Sequence, residues 1–213
     1  MVIGTYAPHV FISPLSPWPV VGSLSVIMLG LSLVEGFEDL ARSRMDQRDN
    51  NRVVQVLRLS QGKIVEEDIK AWEIQSGDLV KIEGKTPVPV DMVVLCASES
   101  ADGHKCLVET SNIDGETNLK PRVAPDDLAV LVGPDGNLQS DLLNKAATVE
   151  FEMPNADIHN FSGALHIEAI ENKSVSLTTK NLLLRGSFLS NPAWVVGVAV
   201  YTGQETKVIN PKP

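Results

Sequence analysis

The first 34 residues contain no Asp, Glu, Lys or Arg, so every charge of this 213-residue chain follows them. Aromatic residues make up only 5% of the sequence, and there are two cysteines, Cys96 and Cys106. Two cysteines exclude a disulfide-rich scaffold and fit no Cys-x-x-Cys metal site, and two free thiols favour a reducing compartment. Positive charge is also scarce. The net charge of −9 argues against a protein that binds nucleic acid.

Patterns for cofactors and metals are missing as well. The four histidines share no metal-ligand spacing, and there is no Gly-x-Ser-x-Gly nucleophile elbow. Residues 84–86, Gly-Lys-Thr, look like the end of a phosphate-binding loop. Such a loop needs glycine at position 79, where this chain has Leu79, and Pro87 would disrupt the helix that must follow. We therefore predict no cofactor site and no metal site in this chain.

Residues 18–34 form the one long hydrophobic run without charge. As a helix it would be about 26 Å long, slightly short of a hydrocarbon core of about 30 Å. Gly22 and Gly30 interrupt the run, which membrane helices tolerate better than soluble ones. A buried core helix is the alternative interpretation. The first 17 residues hold three prolines and predict an extended loop.

The basic residues predict an orientation for that helix. No Lys or Arg precedes Arg42, and three more arginines then follow by Arg52. By the positive-inside rule the side after the helix is cytoplasmic.

From Arg52 onward the pattern is typical of β-strands. The strands are expected at residues 53–57, 79–82, 92–96, 149–152, 161–170, 175–178, 182–186 and 194–202. Residues 66–72 are expected to be a short helix or irregular, and residues 138–147 an amphipathic helix.

The stretch at residues 110–120 carries the functional signal. An Asp-Gly pair, Asp114 and Gly115, is a strong turn signal, because glycine reaches positive φ without steric cost and aspartate can bond nearby backbone. The residues before it have β character, so the turn should present the carboxylate of Glu116 at the end of a strand. Hydroxyl groups and Lys120 surround that carboxylate. Taken alone, an Asp-Gly-Glu sequence is usually a polar surface loop.

Residues 114–120, Asp-Gly-Glu-Thr-Asn-Leu-Lys, closely resemble the actuator-domain signature of the type-IV P-type ATPases, the phospholipid flippases. Further stretches resemble that family in the same order along the chain. They are residues 14–17, 35–39, 77–80, 89–91 (Pro-Val-Asp where Pro-Ala-Asp is usual), 152–155, 182–186 and 200–207. Asp114 and the extension at 118–120 argue against an ion-pumping relative.

The resemblance implies a mainly β fold, the distorted jelly-roll of a P-type actuator domain, preceded by one transmembrane α-helix. It divides the chain into an extracytoplasmic loop (1–17), the helix with its cytoplasmic extension (18–45) and the actuator domain (46–213), with an insertion at about 121–160. Asp78 and Asp91 are then expected to bond backbone amides at turns rather than to act in catalysis.

The resemblance also implies roles for the loop. Glu116 would activate the water that hydrolyses an aspartyl-phosphate intermediate, and Gly115 would allow close approach of the phosphorylated domain. Thr117 would hydrogen-bond the water or phosphate oxygens. Asp114 would form the turn first and share in the site second.

The Asp-Lys-Thr-Gly-Thr phosphorylation segment of P-type ATPases is not in this sequence, nor is a nucleotide-binding domain, so the 213 residues alone are not expected to hydrolyse ATP. In a full-length enzyme the expected cofactors are ATP and Mg²⁺. The expected partners are the phosphorylation and nucleotide-binding domains, a membrane phospholipid and an accessory subunit. The chain would be a fragment of an ATP-driven phospholipid translocase. The alternative is a truncated, non-catalytic, membrane-anchored β-domain that acts as an interaction module.

Overall fold

The computed structural model describes residues 17–60, 63–98, 105–125, 128, 147–167 and 173–209. The chain divides into two units, residues 1–49 and residues 50–213.

One long helix, α1, occupies Pro17–Asn50. Pro17 suits the first helical position, because its ring fixes φ and its missing N–H would have no partner there. Residues Trp18–Asn50 are long and apolar enough to cross a membrane, by length and composition. The hydroxyls of Ser23 and Ser25 donate to carbonyl oxygens of the preceding turn at 3.0 and 2.8 Å. These polar groups are therefore already paired within the helix, as a lipid environment requires.

The second unit consists mainly of short strands. In chain order they are β1 (Val53–Ser60), β2 (Lys63–Lys70), β3 (Leu79–Glu83), β4 (Asp91–Ala97), β5 (Lys105–Glu109), β6 (Lys120–Val123), β7 (Ala147–Phe151), β8 (Ser162–Ile167), β9 (Lys173–Thr178), β10 (Leu182–Leu183), β11 (Phe188–Asn191) and β12 (Trp194–Tyr201). They form a six-stranded sheet in the order β10-β4-β12-β3-β1-β2 and two three-stranded sheets, β11-β5-β6 and β7-β8-β9. The paired strands are antiparallel. One apolar helix followed by antiparallel sheets confirms the predicted fold class.

The centre of the large sheet is the pair β4 and β12. Every residue of β4 is buried, and so is β12 from Val195 onward. Gly197 permits this pairing, since a Cβ atom there would lie 2.5 Å from the carbonyl oxygen of Val93. Cys96 and Cys106 are free and buried, and burial raises the pKa of each thiol to about 12. Both thiols are therefore protonated and unreactive at neutral pH.

The structure corrects one expectation, and two others, the loop at 1–17 and the helix at 138–147, lie almost wholly outside the described residues. Residues 66–72, expected to be a short helix or irregular, belong mostly to β2, and a 3₁₀ turn at Ala71–Glu73 follows. Pairing with β1 over eight residues decides the conformation there, because it satisfies the backbone that the local sequence leaves ambiguous. The helix expected at 138–147 lies outside the described residues, except that Ala147 begins β7.

The second unit should fold without the helix, because its buried apolar residues lie on its own sheets and its size is that of an ordinary domain. Expressed as residues 46–213, it should be soluble, show a β-rich circular dichroism spectrum, unfold cooperatively and have no ATPase activity. A mainly helical spectrum or a gradual, non-cooperative loss of signal would contradict this prediction.

Candidate functional site

The Asp-Gly loop connects two paired strands. Strands β5 and β6 are antiparallel, with Val108 opposite Lys120, and the loop at residues 110–119 joins them. The loop starts with a one-turn helix, α2 (Ser111–Asp114), and Gly115 ends it at φ +75°. The Gly115 N–H donates to the Ser111 carbonyl oxygen at 3.1 Å. The predicted turn is therefore a left-handed helix end, a position that favours glycine.

Asp114 holds the loop in this shape. Its carboxylate accepts hydrogen bonds from the Thr110 hydroxyl at 3.0 Å and from the backbone N–H of Glu116 at 3.0 Å. Its Oδ2 also accepts a bond from the ammonium group of Lys120 at 2.5 Å. With 13% of its side chain exposed, Asp114 is a partly shielded anchor that ties both ends of the loop together.

These bonds favour the ionised carboxylate. They lower the pKa of Asp114 to about 2, with the Lys120 hydrogen bond as the largest cause. The pKa of Lys120 is raised in turn, first by Asp114 and then by Glu116. Both groups are charged at any physiological pH. The turn-forming role expected of Asp114 is therefore visible in its contacts.

Glu116 is the outermost acid of the loop. Its side chain is 59% exposed, and its Oε2 lies 2.9 Å from Nζ of Lys120. Gly115 and Thr117 on either side are exposed as well. No atom lies within 4 Å of the place where a Cβ atom on Gly115 would stand. The loop therefore offers a carboxylate, a hydroxyl and a bare stretch of backbone to whatever approaches it.

Lys120 was missed as a site residue from the sequence, where it counted only as a neighbouring cation. The structure places its ammonium between two carboxylates of the loop, Asp114 and Glu116. The spacing of Glu116 and Lys120, four residues, is a known signal for an ion pair on a helix, but these residues are not helical. The remaining signal in the sequence was a lysine, Lys120, placed across a tight turn from two acidic residues, Asp114 and Glu116.

The two aspartates predicted to be structural do bond backbone amides. Asp78 accepts from the Gln75 N–H at 2.8 Å. Asp91 is fully buried and accepts from the N–H groups of Arg185 at 2.7 Å and Lys207 at 2.6 Å. Burial raises the pKa of Asp91 to about 6, although both N–H groups oppose the shift. These contacts confirm that both residues bond backbone amides.

Beside the loop lies a buried lysine. The Lys207 ammonium has no exposed area and bonds Oε1 of Glu152 at 2.9 Å, Oδ1 of Asn155 at 2.6 Å and the Asp157 carbonyl at 3.0 Å. Its three donors are thus matched by three acceptors, as a buried cation requires. Ile113 of α2 lines a cavity of about 730 Å³ together with residues 155–159, Lys207 and Val208.

Among the described residues there is no group of three or more His, Cys, Asp or Glu that could hold a metal ion.

The comparisons with known proteins point to one family. The chain is 30% identical over 203 residues to the phospholipid-transporting ATPase DRS2 of Saccharomyces cerevisiae, covering 95% of this chain and 14% of that protein. It is 35% identical over 198 residues to the phospholipid-transporting ATPase FetA of Mus musculus, covering 93% and 16%. With the phospholipid-transporting ATPase 2 of Arabidopsis thaliana it shares 35% identity over 200 residues, covering 92% and 17%. No family model matches the sequence.

A solved structure of a zinc-transporting PIB-type ATPase in the E2.Pi state is also similar, with a TM-score of 0.40 and 10% identity over 76% of this chain and 16% of that one. The chain belongs to the type-IV P-type ATPases. It spans about a sixth of the length of the curated relatives it matches.

The acid sensitivity of the loop follows from Asp114. An aspartate with a lowered pKa contributes stability that is complete above its ordinary value of 3.8 and is lost as the pH falls toward about 2. In urea unfolding of residues 46–213, Asp114→Asn should lower the free energy of unfolding by about 1 kcal/mol at pH 5. The loss is no larger because solvent at the loop screens part of the attraction between Asp114 and Lys120. The difference from the unmodified protein should shrink near pH 2.5. An equal difference at both pH values would contradict the ion-pair account.

Proposed function

We propose that residues 46–213 are the actuator domain of an ATP-driven phospholipid translocase and that the loop at 114–117 promotes hydrolysis of its aspartyl-phosphate intermediate. The observation that carries the proposal is the position of Glu116, an exposed carboxylate on a loop whose backbone Asp114 fixes from within. The relatives are phospholipid-transporting ATPases by name, which supports lipid as the transported substrate.

The chemistry needs a base in a defined place. A phosphoryl group is transferred through a loose, in-line transition state, so an enzyme contributes mainly by positioning and electrostatics. Glu116 orients the attacking water and accepts its proton, a role that typically contributes roughly 10²–10⁴-fold. The carboxylate is accessible from solvent, because more than half of its side chain is exposed.

The neighbours of Glu116 have supporting roles. Gly115 leaves open space beside the loop, so that the backbone of a phosphorylated domain can come close. Thr117, exposed on the other side, donates its hydroxyl to the water or to a phosphate oxygen. Asp114 keeps the turn closed and has a smaller, indirect share.

The remaining parts of the reaction belong to the rest of a full-length enzyme. The phosphorylated aspartate, ATP and Mg²⁺ are supplied by its phosphorylation and nucleotide-binding domains. The loop reaches the phosphoenzyme only after phosphorylation. Hydrolysis is then coupled to lipid movement through residues 18–45, the membrane helix with its cytoplasmic extension, while residues 1–17 lie outside the cytoplasm.

The direct test is Glu116→Gln, which keeps shape and removes the base. These 213 residues replace the matching segment of a full-length phospholipid-transporting ATPase, and phosphoenzyme decay is followed after labelling with ATP. Phosphorylation should survive, while decay slows by roughly 10²–10⁴-fold, or about 3–5 kcal/mol of barrier. Asp114→Asn should have a smaller effect.

Glu67→Gln is the matched control. Glu67 is also an exposed acid paired with a cation, Arg58, at 2.7 Å, but it lies on β2. It should leave decay unchanged. If Glu116→Gln phosphoenzyme decays at the unmodified rate, the loop is a surface loop and the catalytic assignment is wrong.

The proposed orientation places the β-sheet unit in the cytoplasm. Asn160 begins an Asn-Phe-Ser glycosylation sequon and is exposed. In microsomes Asn160 should stay unmodified, because a cytoplasmic site does not meet the glycosyltransferase. A glycan on Asn160, detected as a mobility shift that endoglycosidase reverses, would overturn both the orientation and the actuator assignment.

A further inference from the structure

The ammonium group of Lys120 lies between two carboxylates of the loop. It contacts Oδ2 of Asp114 at 2.5 Å and Oε2 of Glu116 at 2.9 Å. The two carboxylates belong to residues two apart in the sequence, and without a cation between them they would repel each other. One lysine thus connects the inner acid of the loop to the outer one.

The exposure of the three side chains increases from Asp114 through Lys120 to Glu116. The exposed fraction is 13% for Asp114, 26% for Lys120 and 59% for Glu116. Asp114 is itself fixed by the Thr110 hydroxyl and the Glu116 N–H. The shielded end therefore anchors the ammonium, and the ammonium in turn restrains the carboxylate that faces solvent.

The ion pair between Lys120 and Glu116 is exposed and therefore contributes little to folding stability. Its effect on geometry is larger, because a glutamate at a surface otherwise samples several rotamers, and misplacing a reacting group by about 1 Å can cost on the order of 100-fold in rate. Among the described residues, Lys120 is the ion-pair partner of the Glu116 carboxylate, and no other cation pairs with it. The orientation of Glu116 thus depends on this one neighbour.

We propose that Lys120 is a positioning residue for the hydrolysis step, held by Asp114 so that it fixes the carboxylate of Glu116 in the direction of the attacking water. This inference rests on the proposed function, since it gives Lys120 a role through Glu116. It differs from a purely structural role, in which Lys120 only closes the loop onto β6 through Asp114. A structural role would act on the reaction whether or not residue 116 is a base.

The test is a double-mutant cycle on phosphoenzyme decay in the same chimeric full-length enzyme. The variants are Lys120→Met, Lys120→Arg, Glu116→Gln and the combination of Lys120→Met with Glu116→Gln. Lys120→Met should slow decay by roughly 10-fold, and Lys120→Arg, which keeps the charge, by less than about 3-fold. In the Glu116→Gln background, Lys120→Met should have no further effect, because the group it orients is already gone.

The matched control is Lys81→Met. Lys81 is as shielded as Lys120, with 21% of its side chain exposed, and pairs with Glu66 at 2.6 Å, but it lies in the large sheet. The phosphoenzyme of Lys81→Met should decay at the unmodified rate. Phosphoenzyme formed from ATP reports that each variant is folded, and Lys120→Gln, which keeps a hydrogen-bond donor without the charge, replaces Lys120→Met if that variant is not phosphorylated.

The outcomes separate the two proposals. If Glu116→Gln decays at the unmodified rate, the proposed function itself is wrong. If Glu116→Gln is slow but Lys120→Met decays normally, or multiplies the defect of Glu116→Gln by its full factor, only the positioning role of Lys120 is wrong.

Discussion

The buried carboxylate of Asp91 joins parts of the chain that are far apart in sequence. It stands at the start of the central strand β4 and accepts backbone N–H groups from Arg185 and Lys207. The side chain of Lys207 then extends the connection to the segment at 152–157. Asp91 and Lys207 are buried, and leaving either of them unpaired would cost about 1–3 kcal/mol or more. Strand β4, the backbone at Arg185 and Lys207, and the segment at 152–157 form a frame beneath the loop. Hydrogen bonds as well as apolar packing hold this frame together.

The loop at 110–120 is attached to this frame through Ile113, which packs against the apolar cluster around Tyr201 and Phe161. Above that attachment its shape is determined locally, by the bonds of Asp114 and the left-handed Gly115. A fixed turn that carries an exposed carboxylate suits the catalytic role proposed for this loop, because a reacting group must be held in a defined orientation. In the proposed mechanism Asp114 and Gly115 maintain the turn, and the reaction depends on Glu116.

Local patterns predicted much of this structure. The strands at 53–57, 79–82 and 92–96 follow from alternating or continuous apolar residues, and the turn at 114–115 follows from the residue types. Residues 66–72 were predicted wrongly, because an edge strand with three consecutive acids has little β-propensity and owes its conformation to pairing with β1. The partners of Asp91 and the place of Lys120 between two acids could not be predicted, since both depend on the tertiary fold.

In the proposed mechanism the Glu116 carboxylate meets the water that attacks the aspartyl-phosphate. The most direct measurement is a cryo-electron microscopy structure of the full-length chimera trapped with aluminium fluoride, which imitates the transferred phosphoryl group. A Glu116 oxygen should lie within about 2.6–3.2 Å of the water opposite the phosphorylated aspartate. A trapped complex in which the loop points away from the fluoride, or another group holds that water, would contradict it.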